Sequence, residues 1–303
     1  MSRSFTSAAT VEEALAAIDG GARPIAGGTD LVVGARQGKA PLPDDIVAID
    51  RVDGLSGIRH DGTALVLGTL VTHEALVADA TVRQHLTALA DASAIVGSHA
   101  TRAQGTIGGN VMNASPAMDT GGPLLCLDAA VTLRSRTEER TVGLAELWRG
   151  PGQTTATANE LLTAVTVPIP IAGTGSCYVR LEYRRQMEIA VVGATAVVTV
   201  ADGAVTDARI AITALAPTIR RAPEAEAALV GTDGGAASIA AAAVATATAS
   251  TPISDVRGSA GYRSAMAEVI ARRAITGALT RAGGGSVGIP ASQATFGDRE
   301  PTR

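Results

Sequence analysis

The chain has 303 residues, of which 46% are apolar, and this length and composition predict about two domains with buried cores. The net charge of −4 and the presence of only two Phe, three Tyr and one Trp argue against nucleic acid as a partner, because neither a basic surface nor a set of stacking rings is available. No apolar run reaches the roughly 18 residues of a membrane span, so no membrane span is expected.

The cysteines and histidines predict no metal site. Cys126 and Cys177 lie far apart, and neither has a second Cys or His at the spacing of a zinc or iron–sulfur site. The chain starts without the charged and apolar pattern of a signal peptide, so two reduced thiols and a cytoplasmic location are expected, with a disulfide as the alternative. The four histidines are scattered and are interpreted as surface or loop residues: His60, His73, His85 and His99.

The N-terminal residues predict a helix, a strand and a glycine turn. Thr10 opens a capping-box pattern for a short helix, and a strand over 23–26 then leads into Gly27-Gly28-Thr29-Asp30. A helix over 31–38 follows directly. Unpaired N–H groups at a helix start favour phosphate, so this turn is a candidate pyrophosphate site. The alternative is an ordinary turn in which glycine supplies a positive φ and Asp30 caps the helix.

Residues 44–105 predict a mixture of strands and helices. A strand is expected over 46–49, and the Asp-Gly turn within 58–67 predicts a hairpin. Thr72 caps a predicted short helix that ends at residue 78, and a longer helix is expected over 82–96.

A second glycine segment, residues 106–119, is interpreted as a binding loop. Gly108 and Gly109 allow close backbone approach, while hydroxyl and amide side chains surround them: Thr106, Asn110, Asn113 and Ser115. A ligand with phosphates, ribose hydroxyls and a heterocycle needs this mixture of groups. Asp119 either accepts from a ribose hydroxyl or caps the segment that follows. The two glycine segments together predict two clamps on one polyanionic ligand.

The C-terminal half predicts a sheet followed by helices. A hairpin over 131–142 and a strand over 160–168 precede Pro168-Ile169-Pro170, where a domain boundary is expected. Three strands over 176–183, 189–200 and 204–215 predict a three-stranded antiparallel sheet. Three alanine-rich helices are then expected, over 222–229, 236–250 and 262–281.

Two common nucleotide-binding motifs are absent. The run from Gly34 to Ala40 has one residue too few between its glycines for a P-loop, and Ala40 stands where Ser or Thr is needed. No G-x-G-x-x-G fingerprint lies between a strand and a helix, so a Rossmann domain is not supported. No Ser-His-Asp or paired-carboxylate constellation suggests hydrolytic or acid–base catalysis.

Several of these segments, in this order and spacing, resemble the FAD-binding medium subunit of the molybdenum hydroxylases. The family includes carbon monoxide dehydrogenase, bacterial xanthine dehydrogenase and related aldehyde, nicotinate and aromatic hydroxylases. The resemblance extends to about Arg281 and is carried by these segments: Ala26-Gly27-Gly28-Thr29-Asp30-Leu31, Thr106-Ile107-Gly108-Gly109-Asn110, Asn113-Ala114-Ser115-Pro116 with Asp119, Tyr183-Arg184-Arg185 and Ile189-Ala190.

The resemblance implies an α+β fold. Residues 1–170 would form a two-subdomain FAD-binding domain of the vanillyl-alcohol-oxidase type, with subdomains of about 1–55 and 56–170 and FAD between them. Residues 171–282 would form a C-terminal domain that combines the three-stranded antiparallel sheet with a helical bundle. Residues 283–303 would form a flexible tail.

The resemblance also implies the cofactor-binding residues, which hold the FAD pyrophosphate through backbone N–H groups of two segments. The first segment comprises Pro24, Ile25, Ala26, Gly27, Gly28, Thr29, Asp30 and Leu31, and the second comprises Thr106, Ile107, Gly108, Gly109 and Asn110. The ribose-contacting acid falls on Asp119, and the adenine-side apolar contact falls on Leu162.

Two implied positions depart from the pattern of the family. Arg180 stands where the family commonly has Lys, which keeps the charge but changes the geometry. Ile189 stands near the implied flavin ring, where some relatives have an aromatic residue, and an aliphatic side chain cannot stack as a ring does. No catalytic residue and no metal ligand is implied in this chain.

The implied function is that of an electron relay. The flavin would take electrons from [2Fe-2S] clusters on a small partner subunit, while a large subunit with the molybdenum cofactor oxidises the substrate. The external acceptor would be NAD, a quinone or oxygen, and the complex would be a dimer of heterotrimers. Two alternatives remain: a free-standing flavin oxidase of the same fold, and a nucleotide-binding module without turnover.

Overall fold

The computed structural model describes residues 3–184 and 186–291. Arg185 and residues 292–303, which include most of the predicted tail, lie outside the described residues. The strands of the described part are β1 Ser4–Ser7, β2 Arg23–Ile25, β3 Asp45–Ala48, β4 Ile58–His60, β5 Ala64–Gly68, β6 Ala130–Arg134, β7 Glu139–Gly143, β8 Trp148–Gly150, β9 Gln153–Thr154, β10 Leu161–Pro168, β11 Thr174–Leu181, β12 Val192–Ala201, β13 Ala204–Thr213 and β14 Arg220–Arg221.

Side-chain hydroxyls cap several helix starts, and the cap predicted for the first helix is present. The hydroxyl of Thr10 accepts the Glu13 N–H at the start of the first helix, and Ser259 caps the last one. The helices of the described residues are α1 Val11–Asp19, α2 Leu31–Arg36, α3 His73–Ala78, α4 Ala80–His85, α5 Thr87–Ala94, α6 His99–Gln104, α7 Ile107–Asn113, α8 Gly121–Cys126, α9 Leu144–Leu147, α10 Pro223–Ala227, α11 Ala236–Thr248 and α12 Ala260–Ala282.

One compact unit, unit 1, comprises the chain up to Leu76 together with Ser98–Ser115 and Asp128–Ile169. It contains a parallel sheet in the order β1-β3-β2 and a five-stranded sheet in the order β4-β5-β10-β6-β7. Helix α1 packs its apolar face against the parallel sheet, where Leu15, Ile18 and Val47 are buried together. The first glycine segment begins within β2, and its Gly27 and Gly28 follow the end of that strand.

The second compact unit, unit 2, comprises Val77–Gly97, Pro116–Leu127 and the described residues of 170–291. Its sheet is antiparallel with the order β11-β12-β13-β14. Helix α12 packs on β11 and β12 through small residues at helical spacing, which include the buried Ala267, Ala271, Ala274 and Ala278. The three predicted strands are present, and β14 extends the predicted three-stranded sheet to four strands.

Three further details differ from the sequence interpretation. The helix expected over 82–96 is two helices, α4 and α5, which meet at Leu86. Residues 106–119 are not one loop, because they contain the whole of α7. The limits predicted for the domains stay predictions; the compact units are built from interleaved segments of the chain.

In the part of the chain that the structure describes, no helix combines the length and apolar character that crossing a membrane requires.

Candidate functional site

The first glycine segment of unit 1 presents a row of unused backbone donors. Among the described residues, no acceptor is hydrogen-bonded to the backbone N–H groups of Gly27, Gly28, Thr29, Asp30 and Leu31. The first hydrogen bond of the following helix is made by Val32, whose N–H donates to the Gly28 carbonyl at 2.9 Å. Gly28 has φ +68°, which turns the chain between β2 and α2. Successive N–H groups at a helix start form an anion-binding concavity.

These donors are open to a ligand. Gly27, Gly28, Thr29 and Leu31 are half-buried, and α2 contains no buried residue. The alternative interpretation, in which Asp30 caps α2, is wrong: the Asp30 side chain is exposed, makes no capping hydrogen bond and has helical backbone angles. The N–H groups at the start of α2 therefore keep their capacity to bind an anion.

The structure brings the two glycine segments together within unit 1. Gly27 lies against Gln104 and Gly105, the two residues that precede Thr106, and Thr29 Oγ1 lies 3.4 Å from the point that a Cβ on Gly105 would occupy. The two segments are therefore close to each other, as the sequence suggested.

The second glycine segment, in contrast, uses its backbone donors within the chain. It forms the first turns of α7, and its N-cap is Thr106. Four of its five N–H groups have internal acceptors: Ile107 donates to Val71 O at 2.8 Å, Gly108 to Thr69 O at 3.0 Å, Gly109 to Thr106 Oγ1 at 3.1 Å and Asn110 to Thr106 O at 2.9 Å. A role of this segment toward a ligand stays a prediction, in which the N–H groups of Ile107 to Asn110 could take part only as shared donors.

Packing explains why position 108 is glycine. A Cβ built on Gly108 would overlap the Thr69 hydroxyl and would come within 2.8 Å of the Thr69 carbonyl oxygen. The space on the Cβ side of Gly108 is filled by the chain itself, and the predicted approach of a ligand to its backbone stays a prediction.

Asp119 lies in unit 2, where it belongs to a buried polar cluster. Its Oδ1 accepts the Tyr178 hydroxyl at 2.7 Å, and its Oδ2 accepts Arg180 Nη1 at 2.8 Å. Burial raises the pKa of the Asp119 carboxyl to about 6, and the Arg180 charge and the Tyr178 hydrogen bond oppose that rise. Asp119 is not a helix cap, since α8 begins after Thr120. Its predicted contact with a ribose stays a prediction, and both of its carboxylate oxygens already accept hydrogen bonds.

Arg180 is enclosed by carboxylates and by backbone. Only 1% of its side chain is exposed, its Nε donates to Glu182 at 2.6 Å, and its Nη1 also donates to the Glu188 carbonyl at 3.3 Å. These contacts connect the end of β11 with the segment that leads to β12. Arg180 can reach a ligand only if it leaves them, so its predicted cofactor contact stays a prediction.

The remaining predicted positions differ in exposure. Leu162 lies on β10 of unit 1 with 2% of its surface exposed, so it could touch a ligand only through a small area. Ile189, in unit 2, is 51% exposed and is available for contact.

Sequence reasoning missed His73 of unit 1. The interpretation of all four histidines as surface or loop residues is wrong for His73, because its side chain is buried at the start of α3. Burial lowers its pKa to about 4, and the nearby Arg102 charge contributes to that decrease, so the imidazole is neutral near pH 7. The signal available in the sequence was its place directly after the apolar run Leu70-Val71 and the helix cap Thr72.

Within residues 3–184 and 186–291, no group of three or more His, Cys, Asp or Glu residues has an arrangement that could hold a metal ion. Cys126 and Cys177 are buried free thiols, so the alternative of a disulfide between them is wrong.

Two family models match the chain. Residues 1–170 match the FAD-binding domain in molybdopterin dehydrogenase, and residues 178–278 match the CO dehydrogenase flavoprotein C-terminal domain.

Individual proteins match over most of their length. The carbon monoxide dehydrogenase medium chain of Afipia carboxidovorans is 34% identical over 86% of this chain and 90% of the relative. The 6-hydroxypseudooxynicotine dehydrogenase complex subunit alpha of Paenarthrobacter nicotinovorans is 34% identical over 92% of this chain and 95% of the relative. The solved structure of reconstituted CO dehydrogenase from Oligotropha carboxidovorans contains a chain that superposes with a TM-score of 0.88 and 31% identity, covering 93% of this chain and 99% of that one.

Proposed function

This chain belongs to the family of FAD-binding medium subunits of the molybdenum hydroxylases, and from that premise we propose that it acts as the electron relay of a multi-subunit dehydrogenase. It is an oxidoreductase subunit with an FAD-binding domain and a CO dehydrogenase flavoprotein C-terminal domain. In the proposed role, the flavin takes electrons from iron–sulfur clusters on a partner and passes them to an external acceptor: NAD, a quinone or oxygen.

The observation that supports this proposal most directly is the row of five unused N–H groups from Gly27 to Leu31. The diphosphate of FAD carries negative charge and several acceptor oxygens, and backbone donors at a helix start match both properties. Four of these residues are half-buried and Asp30 is exposed, so none is enclosed, which leaves room for a ligand. The residues present therefore fit FAD at its diphosphate.

FAD, when bound, supplies the redox chemistry, since it can exchange one or two electrons. The contribution of this chain is to bind and orient the cofactor. Gly27–Leu31 would hold the diphosphate through backbone N–H groups, as the sequence predicts. Pro24, Ile25 and Ala26 bring the chain to that point at the end of β2. The predicted contacts of Leu162 with the adenine and of Ile189 with the flavin ring are part of this proposal.

The proposed partners are a large subunit with the molybdenum cofactor and a small subunit with [2Fe-2S] clusters, assembled as a dimer of heterotrimers in the cytoplasm. The relatives support a multi-subunit assembly, because they carry names such as medium chain and complex subunit alpha. This chain covers at least 90% of both of these relatives, so it corresponds to the same component.

The test compares the purified chain with the complex that forms when it is co-expressed with its neighbouring subunits. We expect the isolated chain to bind one FAD and show flavin absorbance bands that an organic substrate does not bleach. We expect the same bands to bleach with substrate in the complex, and to recover when the correct acceptor is added.

Two results would favour the alternatives. Bleaching by an organic substrate in the isolated chain would contradict the relay role and favour a free-standing flavin oxidase. A chain that binds FAD in the complex but whose flavin is never reduced there would favour a nucleotide-binding module without turnover.

A further inference from the structure

The turn between α6 and α7 is fixed to the start of α3. Gly105 N–H donates to the Thr101 carbonyl at 2.6 Å, and the Gly105 carbonyl accepts the His73 N–H at 3.1 Å. Thr72 and Thr106, the neighbours of these two residues, form an antiparallel β-bridge. Hydrogen bonds to Thr101 and to His73 therefore hold the backbone of the Gln104-Gly105 turn.

The first glycine segment lies directly on this turn. A Cβ built on Gly27 would overlap the Gln104 carbonyl oxygen and would lie 3.2 Å from the Gly105 nitrogen. Because the carbonyl occupies the place of a side chain, any residue larger than glycine at position 27 must displace either the turn or the glycine segment. The contact with the turn thus fixes the position of Gly27, the first residue of the row of N–H donors.

The His73 side chain packs beside the same turn. A Cβ built on Gly105 would lie 3.3 Å from His73 Cδ2 and 3.4 Å from Thr29 Oγ1, so the imidazole and the glycine segment both come close to the same point beside Gly105. Only 1% of His73 is exposed, and its Nδ1 has no hydrogen-bond partner among the described residues. The uncharged imidazole therefore acts on Gly105 by packing against it.

We propose that His73 and the Gln104-Gly105 turn are positioning elements that hold Gly27–Leu31 in its donor arrangement before a diphosphate binds. This inference rests on the proposed FAD site. A site that is arranged in advance loses less free energy of ordering on binding. A change at His73 therefore weakens the binding of a diphosphate without any direct contact to it, and a side chain added at Gly27 weakens it by displacing the donors.

The test uses the full apo-chain and measures two dissociation constants, for FAD and for riboflavin, which lacks phosphate. The variants are Gly27→Ala, His73→Ala and His73→Leu. The matched control is Gly34→Ala, three residues beyond the start of α2, where an added Cβ meets nothing within 4 Å. The melting temperature of each apo-variant is recorded in parallel.

We expect Gly27→Ala and His73→Ala to weaken FAD binding by about 100-fold, the factor for the loss of about two hydrogen bonds to a charged group. Riboflavin binding should change by less than about threefold in the same variants, because that ligand does not use the donors. His73→Leu keeps a similar volume without a polar atom, so it should retain the FAD affinity of the natural chain, as Gly34→Ala should.

Three results would overturn the inference. The first is FAD affinity in His73→Ala and Gly27→Ala that equals that of the natural chain. The second is an equal loss of FAD and riboflavin in His73→Ala, which would identify a general packing role. The third is a loss of FAD in His73→Leu as large as in His73→Ala, which would identify a polar role of the ring. A natural chain that binds riboflavin but does not prefer FAD would instead contradict the proposed diphosphate site itself.

Discussion

The two glycine segments of unit 1 look alike in the sequence and differ in their hydrogen bonds. Both contain Gly-Gly followed by a small polar residue, and both lead into a short helix. In Gly27–Leu31 the backbone donors are unused, whereas in Ile107–Asn110 they donate to Val71, Thr69 and Thr106. A paired N–H group is a weak donor for a further ligand, so the first segment is the stronger candidate for an anion site.

The difference shows that Gly-Gly has two physical uses in one chain. In the first segment, Gly28 supplies a positive φ that turns the backbone and leaves donors outside. In the second, Gly108 makes room for Thr69, so the glycine serves packing. The Asp119 cluster of unit 2 resembles the second segment in its hydrogen bonding, because its polar groups are already paired with one another.

The largest effect is expected for Gly108→Val. The new side chain would overlap Thr69, and overpacking of a buried site of this kind should lower the free energy of unfolding by about 3 kcal/mol or more. Urea denaturation of the apo-chain measures this loss. Gly109→Ala is the control, because its Cβ would meet only Thr106 Oγ1, at 3.1 Å. A stable Gly108→Val variant that has lost only FAD binding would show that position 108 faces the ligand after all.

The pH dependence of stability should separate His73 of unit 1 from Asp119 of unit 2. The native state lowers the pKa of His73 from 6.5 to about 4, so its contribution to stability is present above pH 6.5 and is lost as the pH falls through about 4. The size of this contribution is about 3 kcal/mol. In His73→Leu, the rise in unfolding free energy between pH 4 and 6.5 should be smaller by that amount, as urea denaturation across this range would detect.

Asp119 should act in the opposite direction over nearly the same range. Its pKa is raised from 3.8 to about 6 in the native state, so its contribution is present below pH 3.8 and is lost as the pH rises through about 6. Asp119→Asn should therefore remove a decrease of about 3 kcal/mol, and the unfolding free energy of the variant should rise more steeply with pH than that of the natural chain. Identical pH profiles for the two chains would contradict the buried state of this carboxyl.

A smaller effect is expected for Thr106→Val in the second segment. The variant loses the cap that accepts the Gly109 N–H at 3.1 Å, which should cost about 1 kcal/mol of stability. Because this donor is already used inside the chain, FAD affinity should change little. Thermal denaturation and a flavin titration of the same sample measure both quantities, and a selective loss of FAD affinity would assign Thr106 to the ligand.

The smallest effect is expected for Gly34→Ala, which should raise stability by about 0.5–1 kcal/mol because Ala favours the helical state. The added methyl group has open space around it, so the first glycine segment should not move. Differential scanning calorimetry of the apo-chain measures the gain. A decrease in stability would show that α2 packs more tightly than its exposure suggests.

Local patterns predicted much of the fold. The capped helix α1, the hairpin β4–β5 and the strands β11 to β13 follow from turn residues and apolar spacing that lie within a few positions of each other. The break at Leu86 was missed because residues 82–96 keep a continuous apolar pattern across it. The strand β14 was missed because it has two residues, too few to give a pattern.

The surroundings of the two glycine segments were predicted only in part, because some of their contacts join residues that are distant in the chain. The first glycine segment could be found because its strand, turn and helix are consecutive in the chain. The acceptors that close the second segment, Thr69 and Val71, lie more than 30 residues upstream, and no local pattern connects them with Gly108. His73 likewise lies against Gly105, whose carbonyl accepts its N–H, and only the folded chain creates this contact.

Hydrogen exchange of the backbone amides, with and without FAD, tests the difference between the two segments most directly. We expect the amides of Gly27–Leu31 to exchange rapidly in the apo-chain and to become protected when FAD binds. The amides of Ile107–Asn110 should be protected already and should change little. Strong FAD-dependent protection at Ile107–Asn110, with none at Gly27–Leu31, would contradict the assignment of the diphosphate to the first segment.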